Sequence, residues 1–290
     1  MRETAFLISA LLLTVSAIHA RFAAAPGGDN DGVRQDSIAV ERLLSGGDTT
    51  TLGYARQLAG VPYVAHTLEV NADAPRAEDR EQTVVNLRQL DCTTLVETVC
   101  ALTLCARHGQ RDFASFRHWL RQLRYRSGRL DGYASRLHYF SDWIDDNERM
   151  GLVSEISGEA APFTAVQTLN LNYMSTHPQA YRALKGQPEL VKLIAGQEKR
   201  LTGRTYRYIP KKAVDNSLRG IVRDGDILAI TCSKAGLDIA HLGFAVWQKD
   251  GLHLLNASQI HKKVVEEPMT LREYLSKHPS HTGIRVIRLR

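Results

Sequence analysis

The chain has 290 residues, 43% of them hydrophobic, and a formal net charge of +6 at pH 7. That length is enough for one large domain, or one domain with insertions, to bury a substantial core. The positive charge is spread out. Its densest places are Lys211-Lys212, Lys262-Lys263 and the group Arg117, Arg121, Arg124 and Arg126, which read as solvated surface. No nucleic-acid-binding signature stands beside them, so a nucleic-acid partner is not expected.

Residues 1–25 read as an export signal. Arg2 supplies a short basic start, residues 5–18 form an uncharged apolar run, and Ile18-His19-Ala20 or Ala23-Ala24-Ala25 offers a cleavage site. The run is too short for a membrane span, no later segment is apolar enough to be one, and a periplasmic location without stable membrane insertion follows as the expectation. Residues 29–32 read as a polar leader. Residues 37–44 and 51–59 have amphipathic helical spacing, and Gly60-Val61-Pro62-Tyr63 breaks the second helix into extended chain. Residues 83–87 are strand-like. A nearly all-apolar helix follows over 95–106, with Asp91 suited to cap it. Residues 113–123 predict a helix with a basic outer face, and 133–144 an aromatic-rich stretch. Helices are expected over 170–184 and 188–195, parted at Gly186.

After Arg204 the pattern changes to short strands over 206–209, 226–231, 241–248, 252–257, 263–266 and 284–289. Lys249-Asp250-Gly251 signals a hairpin between the third and fourth. Thr270 and Glu273 form a capping-box pair opening a helix over 270–277. Helices first and antiparallel strands afterwards argue an α+β fold. The expected organisation is a signal segment, 1–25, and a single domain, 26–290, carrying a helical insertion around 110–200.

The chemistry centres on Leu90-Asp91-Cys92-Thr93-Thr94-Leu95-Val96-Glu97. Cys92 falls in the first turn of the predicted helix, where free backbone N–H groups and the helix dipole favour a thiolate. Cys100 and Cys105 lie on different faces of the same helix and Cys232 in a strand, so these three read as buried apolar residues rather than disulfide partners. Among eleven histidines, His241 opens an apolar strand next to a polar loop and can face a cleft. The hairpin return carries Asn256 back toward His241, where an amide can orient the imidazole; a strand-edge polar residue is the alternative. Tyr63 can donate to an oxyanion beside the Cys92 N–H, or serve as a core aromatic. His66-Thr-Leu-Glu69 has metal-like spacing but lacks a third ligand, so neither metal nor cofactor is expected.

Taken in order, Gly-Val-Pro-Tyr63, Asp-Cys92-Thr-Thr-Leu-Val-Glu, His241-Leu-Gly-Phe-Ala-Val and Asn256-Ala-Ser resemble the NlpC-type cysteine amidases of the papain-like superfamily. Thr93-Thr94 in place of Ser-Gly, with Tyr133-Ala-Ser-Arg136-Leu-His138-Tyr139-Phe-Ser-Asp142-Trp143, resembles their N-acetylmuramoyl-L-alanine amidase-like branch. The resemblance implies a papain-like core, a nucleophile helix packed on an antiparallel sheet. It implies Cys92 as nucleophile, His241 as base and then acid, Asn256 as orienting residue and Tyr63 at the oxyanion site. It also implies a periplasmic amidase acting on peptidoglycan-derived disaccharide-peptides, with Arg136, His138, Tyr139, Asp142 and Trp143 on the sugar-binding side. Tyr139 and Trp143 are also spaced as core partners of one helix. A stem-peptide endopeptidase of the same superfamily, a transglutaminase-like acyltransferase and a non-catalytic wall-binding module are the competing readings.

Overall fold

The computed structural model describes residues 29–71, 74 and 81–290; the export-type segment 1–25 lies outside them. In chain order the elements are α1 (Asp29–Ser45), α2 (Thr51–Gln57), α3 (Cys92–Arg107), α4 (Phe113–Arg124), α5 (Phe140–Arg149), β1 (Val153–Ile156), β2 (Ala165–Thr168), α6 (Tyr173–Thr176), α7 (Pro188–Leu201), β3 (Thr205–Pro210), β4 (Ile227–Cys232), β5 (Ile239–Trp247), β6 (Leu252–Ser258), β7 (Lys263–Glu266), α8 (Leu271–Ser276) and β8 (His281–Leu289). All strand pairings are antiparallel, in the order β2-β3-β8-β4-β5-β6-β7. One edge of β8 runs along β4; the other is shared, with Gly283 and Ile284 facing β3 and Val286 to Leu289 facing β1. The architecture is α+β, as expected.

The sheet is covered on both faces. Leu242, Phe244 and Val246 of β5 point into a core with Leu95, Val96 and Val99 of α3. The intervening Ala245, with Leu254 of β6 and Val286 of β8, packs on the other face against Leu271 and Leu275 of α8. Burial on both sides explains why β4 is a continuous apolar-type run rather than an alternating one.

α3 is the central helix. Asp91 caps it by accepting the Thr94 N–H at 2.8 Å, while Thr94 Oγ1 accepts the Asp91 N–H at 2.9 Å, a reciprocal capping box. Every residue from Thr94 to Cys105 is buried, so this helix is enclosed all round. The charge of Glu97 inside it is met by Arg124 of α4, Nε to Oε2 at 2.6 Å, with both side chains 2% exposed. The expectation that Arg124 belongs to a solvated basic surface is therefore corrected: it sits beside the inward face of α4 formed by Phe116, Leu120 and Leu123, and its Nη1 also donates to the Val84 carbonyl at 2.6 Å.

Other expectations change for identifiable reasons. Residues 83–87 form no strand, because their backbone bonds locally and to side chains: the Val84 N–H to Gln82, Arg124 at the Val84 carbonyl, and Asp36 accepting the Leu87 N–H at 3.0 Å. The helix expected over 170–184 reduces to α6 and a short 3₁₀ turn. His177, at φ −125° and ψ 49°, precedes Pro178, and the proline ring disfavours helix at that position. Residues 29–32 belong to α1 rather than to a leader. The stretch 110–200 is not purely helical, since β1 and β2 within it join the sheet.

Arg285, fully buried in β8, ties these parts together. Its guanidinium donates to Glu155 of β1 at 2.6 and 2.8 Å and to Ser141 Oγ of α5 at 2.7 Å, and it lies 3.9 Å from the Tyr206 ring centroid of β3.

The β5–β6 contact leaves no room at Gly243. A Cβ there would sit 2.5 Å from the Leu255 carbonyl oxygen and 2.7 Å from Leu254 Cδ1. Gly243→Ala is expected to destabilise the protein by about 1–3 kcal/mol, the usual cost of overpacking. Denaturant unfolding measures it, and an unchanged midpoint would contradict this packing.

Candidate active site

Several segments converge on one cavity of about 320 Å³ whose lining includes Tyr63, Cys92, Thr93, His241 and Leu242. Cys92 is the first residue of α3, so the capping geometry that starts the helix also presents the sulfur at its mouth. Tyr63 is held by backbone bridges: its N–H donates to the Lys262 carbonyl at 2.9 Å, and it pairs with Leu90, two residues before the cysteine. His241 lies near the start of β5, paired with Ile230 just before β4 shifts register. The backbone of Leu242, the next residue, acts on the Cys92 sulfur in the sense that favours its charged form.

The β5–β6 hairpin brings Asn256 to His241, with Nε2 and Oδ1 2.9 Å apart. Asn256 is completely buried, and its Nδ2 donates to Glu267 Oε1 at 2.9 Å. Glu267 then lies 3.1 Å from His261 Nε2 through its other oxygen. Glu267 is invisible to sequence reasoning. It follows Glu266 and precedes Pro268, which reads as an exposed acidic turn, yet it is 1% exposed while Glu266 makes a surface pair with Arg56.

The electrostatics differ from the sequence expectation in one respect. Burial pushes the Cys92 thiol up to about 12, and the Asp91 carboxylate pushes the same way; the Leu242 backbone and Thr93 oppose them without winning. Burial also lowers His241 below its ordinary value, against the Asn256 bond and the Glu267 charge. At neutral pH the resting pair is thus a neutral thiol and a neutral imidazole, not the thiolate that the helix dipole alone would favour. Burial, chiefly, keeps the Tyr63 hydroxyl protonated, with Cys92 adding to the effect, and so available as a donor.

Of the five residues expected on the sugar side, Arg136, His138 and Tyr139 line the cavity, but their polar ends are engaged. Arg136 binds Glu81 through Nε at 3.0 Å and Nη2 at 2.5 Å. His138 Nε2 sits 2.9 Å from the Tyr133 carbonyl, and the Tyr139 hydroxyl donates to Glu198 at 2.6 Å. Asp142 and Trp143 are outside the cavity lining. Asp142 is paired with Arg126, and Trp143 is fully buried with its ring stacked on Phe140. Both serve packing and pairing here: Phe140, at the start of α5, lines the cavity, while Asp142 and Trp143 turn to Arg126 and to the core. The cavity carboxylates are likewise occupied: Glu97 by Arg124, Asp91 by Thr94, Glu69 by the Tyr133 hydroxyl at 3.0 Å, and Asp238 by the N–H groups of Ser141 and Ile239. Among the described residues no group of three or more His, Cys, Asp or Glu is placed to hold a metal, and none of the helices is long and apolar enough to cross a membrane.

Comparison with known proteins gives concordant findings. A family model described as AmiA-like, N-acetylmuramoyl-L-alanine amidase-like, matches residues 54–284. A crystal structure of an N-acetylmuramoyl-L-alanine amidase from Bacteroides uniformis is similar at 39% identity and TM-score 0.77, covering 84% of this chain and all of that one. A Bacteroides fragilis structure, provisionally named a xylanase, is similar at 41% identity and TM-score 0.74, over 81% of this chain and 99% of that one. A Legionella pneumophila protein of the DUF1460 family model, at 23% identity and TM-score 0.65 over 90% of this chain and 96% of that one, shares the fold. None of the curated proteins matches.

The raised Cys92 value has a measurable consequence. Because the thiol titrates only near 12, alkylation of Cys92 by iodoacetamide should keep accelerating from pH 7 to pH 10 without levelling off. A plateau between pH 7 and 8 would place a thiolate in the resting site and contradict this assignment.

Proposed function

The chain belongs to the AmiA-like family of N-acetylmuramoyl-L-alanine amidase-like proteins, and from that membership we propose that it hydrolyses the amide joining N-acetylmuramic acid to L-alanine in peptidoglycan fragments. The fragments are disaccharide-peptides of wall recycling or turnover. On this proposal residues 1–25 direct export to the periplasm, and the core is the papain-like, NlpC-type one. The observation that carries the chemistry is that Cys92, at the mouth of α3, lines one cavity with His241, whose Nε2 is bonded to Asn256.

The reaction follows from the neutral pair. His241 takes the Cys92 proton as the sulfur attacks the lactyl carbonyl, so the thiolate forms only as it is used. The Cys92 N–H at the helix start and the Tyr63 hydroxyl receive the developing oxyanion. The imidazolium gives its proton to the departing alanine nitrogen, the C–N bond breaks, and the stem peptide leaves. A water molecule, deprotonated by His241, then attacks the muramoyl thioester, releasing the sugar carboxylate and restoring the thiol.

Glycoside cleavage, the chemistry in the provisional name of the B. fragilis neighbour, needs two carboxylates free to act as acid and as base or nucleophile. Asp91, Glu69, Glu97 and Asp238 are each held by other groups, which favours the thiol.

Mass spectrometry of anhydro and reduced muropeptides, after incubation with the mature protein, tests the proposal. Free disaccharide and intact stem peptide are expected from the wild type and neither from Cys92→Ala. Asn256→Ala should retain a measurable remainder, with kcat lowered by roughly 10²- to 10⁴-fold, the range of a general base's contribution. Shortened peptides still attached to sugar would move the assignment to stem-peptide cleavage.

A further inference from the structure

We propose that Glu267 is a positioning residue that fixes which nitrogen of His241 carries the proton, acting through the orientation of the Asn256 side chain. An asparagine amide is two-faced: rotated by half a turn, it offers His241 a donor instead of an acceptor. A carboxylate has no such choice, because it only accepts. With Glu267 Oε1 2.9 Å from Asn256, the group facing the carboxylate must be the NH₂. The carbonyl oxygen must then face His241. It can only accept, so Nε2 of the imidazole must be the protonated nitrogen and Nδ1 is left bare to receive the Cys92 proton.

Glu267 is itself held at both ends. Its N–H donates to the Leu254 carbonyl at 2.8 Å, and its own carbonyl is 2.9 Å from His253 Nδ1. Its second carboxylate oxygen faces His261 Nε2 at 3.1 Å. Backbone and side chain are therefore both fixed between β6 and the turn after β7, and the carboxylate is only 1% exposed. A buried carboxylate is costly to keep. The proposal gives its location a purpose: a neutral asparagine cannot choose its own orientation, and the acid chooses for it. A wrongly held imidazole tautomer can cost ~10⁴ in kcat.

The kinetic half of this proposal rests on the amidase reading; the tautomer half does not. Nitrogen-15 NMR of the full protein with ring-labelled histidine, with the His241 signal identified by its loss in His241→Gln, should show the Nε2–H form in the wild type. In Glu267→Gln the new amide can present either face, so Asn256 can turn over, and the His241 signal should shift toward a mixture containing Nδ1–H. In the same variant kcat for release of the stem peptide should fall at least about 10-fold with KM within twofold, a part of the full tautomer cost. An Nδ1–H imidazole in the wild type, or a Glu267→Gln protein with wild-type tautomer and kcat, would overturn the proposal. Should Glu267→Gln fail to fold, an Nδ1–H imidazole in the wild type would still overturn the proposal. A wild type that keeps the Nε2–H form, loses it in Glu267→Gln and yet never cleaves muropeptides would uphold the positioning role and sink the amidase reading instead.

Discussion

The site depends on the enclosure of α3. A helix buried on every side from Thr94 to Cys105 meets the cavity at its N-terminal end, and that end carries Cys92. Packing against Leu242, Phe244 and Val246 sets the helix on β5, so the strand that anchors the helix also delivers His241. Cys92 and His241 are thereby carried by a helix and a strand packed directly on one another. Such rigid support suits a reaction in which small displacements of the reacting groups are costly.

The surrounding wall is built on the same logic in polar form. Arg136 with Glu81, Arg124 with Glu97, and Tyr139 with Glu198 place charged or polar groups in the interior and then satisfy each from a different segment. Buried pairs of this kind add little net stability, because desolvation offsets most of their attraction. Their effect here is geometric: they set the shape of the cavity and leave Tyr63 and His241 as the groups with chemistry to offer. The same burial holds the Cys92 thiol in its neutral form.

Much of this was legible in the sequence. The run of short antiparallel strands after Arg204, the capping of α3 by Asp91 and the hairpin that returns Asn256 toward His241 all follow from local patterns. Other features depend on long-range partners that local pattern does not encode. Arg124 looks like its solvated neighbours until Glu97 is placed beside it. Trp143 and Tyr139 share a helical spacing, but only the packing of α5 sends the indole into the core and the phenol to the cavity edge. Glu267 is the extreme case, since nothing in Glu266-Glu267-Pro268 separates the surface acid from the buried one. The thiolate expectation failed for a related reason: helix position is local, whereas the desolvation that outweighs it comes from the whole fold.

The position of β8 bears on how the molecule assembles. This strand comes after all the others in sequence, yet it holds β4 on one side and both β1 and β3 on the other, and its Arg285 joins residues more than a hundred positions earlier. Until residues 281–289 are available, β4 lacks one neighbour, and β1 and β3 have no common strand to join. The pairings that join β1, β3 and β4 through β8 therefore form last in a chain synthesised from its N-terminus, and contacts of such sequence separation make for slow folding.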